Sequence, residues 1–343
     1  MADRSSPSPD THARVAAPQH PVVLGVDVGG THIRAAAIAP DGTIVARRHL
    51  ACRAADGFAA VVDRLVAAIE GTAADADVLP DAPVGVALPG PVNPRTGVLG
   101  LAPNLPGWRD VPIRDLLAAR LGRPVVPGND VNVAALGEWR YGAGQGARDL
   151  VYLGVGTGVG GGVVAGGRLL LGRHGLAMEA GHMVVDLDGP ACHCGGRGCL
   201  EAHCAGWAIG RTARDLLAAG RSSILPELAA ERGTEVSGAL VNEAAKAGDV
   251  LAIEVLALAG RALGVGVASL VHIFNPEIVA IGGGVATAGE LLFAPMREAF
   301  AAQVMASFRE DLRIVPSALD QDAGLLGAGV LAAEEFRQRH DGD

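Results

Sequence analysis

One pattern occurs twice in this chain, and the repetition narrows the folds open to it. Residues 21–28 (PVVLGVDV) form an apolar run ending in Gly29-Gly30-Thr31, and a second apolar run, 33–39, follows at once. Pro40-Asp41-Gly42 then turns the chain into a short stretch at 43–47. Residues 149–156 repeat this opening: an apolar run ends in Gly156-Thr157-Gly158, Val163-Val164-Ala165 continues it, and Gly166-Gly167 turns it. Apolar runs this short, bounded by glycine, read as strands, so each glycine cluster closes a β-hairpin. Two segments with one grammar predict an internal duplication: two α/β units on either side of a cleft.

Between and after the hairpins the periodicity alternates. Helical spacing is read at 58–70, 113–121, 131–141, 207–219, 241–247, 250–271 and 324–339, and buried strands at 84–88, 124–126 and 277–281. Pro127-Gly128-Asn129-Asp130 is read as a loop leading into the helix at 131. The expected organisation is a disordered tail over 1–20, an N-terminal domain over 21–135 and a C-terminal domain over 136–323. The last helix, 324–339, is expected to pack back on the first domain.

Half of the 343 residues are hydrophobic but only 3% are aromatic, which suits Val/Leu/Ile strands covered by Ala/Leu helices. A net charge of -9 argues against nucleic acid as a partner. No apolar run of membrane-spanning length is free of turn-forming residues, so no membrane segment is expected. The N-terminus is polar, with no apolar signal region, and the cysteines are expected to stay reduced in the cytoplasm.

Three motifs carry chemistry. In Asp27-x-Gly29-Gly30-Thr31-x-x-Arg34 a carboxylate sits at a strand end beside a turn whose backbone N–H groups suit a phosphate. Asp27 would repel that phosphate directly, so a divalent cation or its water is its expected partner. The second cluster contains a formal G-x-G-x-x-G at Gly156, Gly158 and Gly161, but strand and turn follow it where a dinucleotide site needs a helix. Asp130 has two readings at this point: a cap for the helix that follows, contributing about 1 kcal/mol, or a general base. Asn104 reads as a turn former.

The third motif is Glu179–Glu201 (EAGHMVVDLDGPACHCGGRGCLE), where His182, Cys192, Cys194 and Cys199 make a Cys₃His set of the kind zinc prefers. His193, His203 and Cys204 lie near enough in sequence to compete as ligands, and His193 is expected to point away.

These residues resemble the ROK family of sugar kinases and repressors. The resemblance rests on DVGGTHIR at Asp27–Arg34, LPGP at Leu88–Pro91, Asn129-Asp130, Gly156–Gly162, EAGH at Glu179–His182, CHCGGRGCLE at Cys192–Glu201 and Gly282–Gly284. It implies the actin-like, ribonuclease-H-like two-domain ATPase fold, with sugar and nucleotide in the cleft. Asp130 would then be the catalytic base, and Gly90, Asn104, Asn129, Glu179, His182 and Glu201 would bind sugar hydroxyls. His182, Cys192, Cys194 and Cys199 would hold a structural zinc. Gly29, Gly30, Thr31, Gly156, Thr157 and Gly158 would cradle the phosphates of ATP, Asp27 would assist Mg²⁺, and Gly282, Gly283 and Gly284 would lie near the adenosine. The family's repressors carry an N-terminal DNA-binding module, and the 20 polar residues here are too short and too proline-rich for one; with Asp130 present the expected activity is that of a kinase, and a non-catalytic sugar-sensing regulator lacking its DNA-binding module is the alternative. Glucose is the first choice of substrate, with N-acetylhexosamine, mannose and fructose as alternatives, polyphosphate as an alternative donor, and a homodimer or homotetramer as the assembly.

Overall fold

The computed structural model describes residues 22–340; the tail expected over 1–20 lies outside the described residues. The first half runs β1 (Val23–Val28), β2 (His32–Ile38), β3 (Ile44–Ala51), α1 (Phe58–Asp75), β4 (Val84–Leu88), α2 (Ile113–Leu121), β5 (Val125–Asn129) and α3 (Asp130–Tyr141). The second half runs β6 (Leu150–Val155), β7 (Val159–Ala165), β8 (Arg168–Leu169), α4 (Glu201–Cys204), α5 (Gly206–Ala218), α6 (Leu225–Arg232), α7 (Gly238–Lys246) and α8 (Val250–Phe274). It closes with β9 (Ile278–Gly282), α9 (Glu290–Gln303), β10 (Arg313–Pro316) and α10 (Ala323–His340).

The duplication is visible in the sheets. Their strand orders are β3-β2-β1-β4-β5 and β8-β7-β6-β9-β10, so the second repeats the first strand for strand. In each, an antiparallel hairpin is extended by parallel strands, β4 and β5 in one and β9 and β10 in the other. The inner strands β4 and β9 are buried along their whole length, which is why they read as unbroken apolar runs.

The helices that end the two halves are exchanged. Helix α3 packs on β6 and β7 of the second sheet, whereas α10 packs on β1 and β4 of the first, and the two helices cross each other. Glycines set how closely α10 approaches. A Cβ on Gly85 would lie 1.8 Å from the Ala328 carbonyl oxygen, and at the helix crossing one on Gly327 would lie 1.8 Å from that of Val133. Both separations are far inside van der Waals contact, so α10 can lie against β4 and α3 only because these positions lack side chains.

Four expectations need correction. Residues 127–129 are not loop: β5 continues through Pro127, Gly128 and Asn129, paired with Val86, Ala87 and Leu88. Proline is tolerated there because β5 is the edge of its sheet, where a missing N–H breaks no ladder. The third strand extends to Ala51, beyond the 47 expected. Helices α6 and α9 and strand β10 were not anticipated, and α9 carries Pro295 in its interior. Finally, α8 is long and apolar enough by composition to cross a membrane. Its glycines, read as breaks, are contact points: a Cβ on Gly260 or Gly264 would strike the carbonyl oxygens of Leu292 or Met296 in α9. The helix lies in the larger core, with Leu251, Val255, Leu263 and Val267 buried.

Candidate active site

The candidate residues cluster beyond the C-terminal ends of the parallel strands, where open α/β sheets form their ligand crevices. Asn129 ends β5, Asp130 opens α3, Gly90 lies just beyond β4, and Asp27 lies near the end of β1. The cap of α3 is Asn129: its Oδ1 accepts from the N–H groups of Val131 and Asn132, both at 3.1 Å. The amide nitrogen of Asn129 donates to the Gly90 carbonyl at 3.2 Å and to Asp130 Oδ1 at 3.0 Å. That Oδ1 also accepts from the Val131 N–H at 2.9 Å. Capping therefore belongs mainly to Asn129, and Asp130 is held in place by its neighbours. Burial pushes the Asp130 carboxyl up to about 6, opposed by the Val131 N–H bond and reinforced by the charge of Asp27.

Asp27 is paired, through Oδ2, with the Arg34 guanidinium at 2.6 Å, and the two face each other across the β1–β2 ladder. Burial raises its pKa against the pull of Arg34. Arg34 also donates to the Gln321 carbonyl at 2.8 Å, and Gly324 in the first turn of α10 lies against the Asp27 carboxylate. Sequence reasoning placed Arg34 in the motif without a role. Its register opposite Asp27 in a tight hairpin was the available signal.

The two glycine hairpins do different local work. Gly29 closes the first by donating to His32 O at 2.8 Å, and Gly30 lies against the backbone of Asn104. The loop bearing Asn104 is closed by the Ala102 N–H to Trp108 O bond at 3.0 Å and anchored by buried Leu105 and Trp108, leaving Asn104 exposed. The second hairpin closes with Gly156 N–H to Gly158 O at 2.9 Å. Gly156 and Thr157, with Trp207, Arg214, Asn242 and Gly284, line a cleft of about 720 Å³. Of the three glycines at 282–284 only Gly284 lines it. Gly282 packs on the Tyr152 hydroxyl and Gly283 on the Val155 backbone.

The metal-type set is brought together. One ligand atom from each of His182, Cys192, Cys194 and Cys199 lies within 4.8 Å of all the others. Cys194 Sγ and Cys199 Sγ are 3.7 Å apart, and Cys192 Sγ and His182 Nδ1 are 3.8 Å apart. Four donors about 2.3 Å from a tetrahedral zinc would be separated by roughly 3.8 Å, so the donor set fits. The competing residues are elsewhere. His193 stacks on Trp207 with ring centroids 4.0 Å apart, Cys204 is buried with its thiol on Leu200 O, and His203 Nε2 is buried without a partner.

Sequence reasoning missed Glu138. This fully buried carboxylate in α3 accepts from the N–H groups of Ala143, Ala318 and Leu319, at 2.9, 3.1 and 2.8 Å, and from the Ser317 hydroxyl. It ties α3 to the segment that leads into α10. A single Glu in a helical run gave no sign of this.

Two repeated sheets with exchanged closing helices, and candidate residues gathered at their strand ends, define the actin-like class of two-domain ATPase folds. The chain belongs to the ROK family, whose profile matches residues 23–335. A glucokinase of Thermotoga maritima is 40% identical over 314 residues, spanning 92% of this chain and 98% of its own length. Two solved structures are each 36% identical and cover 92% of this chain and 99% of their own. They are a ROK hexokinase from Thermus thermophilus, at a TM-score of 0.79, and a ROK family glucokinase from Streptomyces griseus in complex with glucose and AMPPNP, at 0.76.

Proposed function

We propose that this protein is an ATP-dependent hexose kinase that transfers the γ-phosphate to the 6-hydroxyl of glucose, with Asp130 as general base. The observation that carries the reading is the Asp130 carboxylate, held through one oxygen by Asn129 and Val131 and raised by burial to about 6. A base with that pKa is ionised at neutral pH yet holds a proton strongly enough to take one from a hydroxyl as it attacks. The Thermotoga maritima and Streptomyces griseus relatives support glucose and ATP as the substrates.

Phosphoryl transfer needs positioning and charge stabilisation more than covalent chemistry. Asn104, Asn129, Gly90, Glu179, His182 and Glu201 would orient the sugar, so that the 6-hydroxyl meets Asp130. The Gly29–Thr31 and Gly156–Gly158 hairpins would hold the phosphates, and the 720 Å³ cleft that reaches Gly284 would take the adenosine. Asp27 would meet Mg²⁺ or its water, with Arg34 orienting the carboxylate. His182, Cys192, Cys194 and Cys199 would hold a zinc whose contribution is to stiffen the segment carrying Glu179, His182 and Glu201. We also divide the chain at 21–135 and 136–323, returning 324–339 to the first part, a division supported by the packing of α10 on β1 and β4.

The test is a panel of glucose, mannose, fructose and N-acetylhexosamines with Mg²⁺ and ATP or polyphosphate, read as phosphorylated sugar. Glucose with ATP should give the highest kcat/KM. Turnover of no sugar, or full activity in Asp130→Ala, would overturn the assignment.

A further inference from the structure

One residue of the second hairpin is held from both sides by the segment proposed to recognise the sugar. The Val159 N–H, first in β7, donates to Glu201 Oε2 at 3.0 Å. A Cβ on Gly181, in the Glu179–His182 turn, would lie 2.1 Å from the Val159 carbonyl oxygen, so that turn rests directly on the same residue. A Cβ on Gly158 would come within 2.7 Å of Glu201 Oε2, so the carboxylate lies against the hairpin backbone. Five residues after Glu201, the Gly206 N–H donates to Gly156 O at 2.8 Å and holds the other limb. The second carboxylate oxygen, Oε1, faces Cys192 Sγ at 3.9 Å.

We propose that Glu201 is a positioning residue that couples sugar binding to the phosphate hairpin, its carboxylate joining the sugar subsite to the Val159 peptide so that glucose orders Gly156–Gly158 for the nucleotide. This rests on the kinase reading above. A hairpin built almost wholly of glycine loses much backbone entropy when it is ordered around phosphates. A sugar that fixes Glu201 removes part of that cost before the nucleotide arrives, which makes the two ligands bind synergistically. The coupling is reciprocal.

The test is calorimetric titration of AMPPNP with Mg²⁺ in the absence and presence of saturating glucose. In the unmutated protein glucose should tighten AMPPNP about 5- to 20-fold. Glu201→Asp keeps the charge but shortens the reach to Val159, and the ratio should fall below about twofold. Glu201→Gln keeps the reach and an acceptor oxygen, and should retain most of the ratio even where glucose itself binds more weakly. Hydrogen exchange needs no variant: glucose alone should slow the amides of residues 156–159. An unchanged ratio in Glu201→Asp, a ratio of one in the unmutated protein, or no change in exchange at 156–159 overturns the coupling. A protein that phosphorylates no hexose overturns the functional reading instead.

Discussion

Asp130, the proposed base, illustrates how an ordinary side chain acquires unusual properties. Its neighbours supply position, and desolvation supplies basicity, at a cost to the fold. Its folded pKa of about 6 lies above the ordinary 3.8. The stabilisation it contributes is therefore present in acid and lost as pH rises from about 4 through about 6, roughly 3 kcal/mol at most. Asp130→Asn should lower kcat by at least about 100-fold while glucose still binds in calorimetry, and at pH 7 it should melt no lower than the unmutated protein. For the unmutated protein, kcat/KM should rise with pH through a limb centred near 6. Removing the neighbouring charge in Asp27→Asn should move that limb to lower pH, since Asp27 helps raise Asp130. A limb that stays in place would show that the titrating base is another group.

At the scale of elements, the exchanged helices α3 and α10 bring together the strand ends of both sheets that carry the candidate residues, and they depend on two features. Glu138 satisfies donors on both sides of the junction, so Glu138→Ala should leave several buried N–H groups unpaired. Urea unfolding should then show a loss of about 3 kcal/mol or more. Gly85→Ala would push α10 away from β4, and about 1–3 kcal/mol of overpacking is expected in the same measurement. The strands and most helices were legible because burial on both faces produces continuous apolar runs, and a single buried face produces helical spacing. Strand β5 was cut short and α9 overlooked because Pro127 and Pro295 normally end elements. An edge position removes the penalty for the first. The structure supplies no comparable reason for the second.

At the scale of the molecule, the four metal-type residues join a turn at 179–182 to the start of α4 across a segment with no long element of its own. Purified protein should carry about one zinc per chain by elemental analysis. Stripping it with a chelator should raise the KM for glucose much more than the KM for ATP; retention of glucose affinity in metal-free protein would detach the cluster from sugar recognition. Local chemistry was readable from the chain by itself: the duplicated hairpins, the Cys₃His spacing, the carboxylates at 27 and 130, and the helix and strand periods. These signals are short in range, and each is written in the residues that carry it. Only the tertiary structure decided the burial that raises the Asp130 pKa, the exchange of α3 and α10, the buried clasp at Glu138 and the grip of Glu201 and Gly181 on Val159. Those depend on which distant segments meet and on how much water they exclude together, and the spacing of residues shows that a face is buried but not which distant segment covers it.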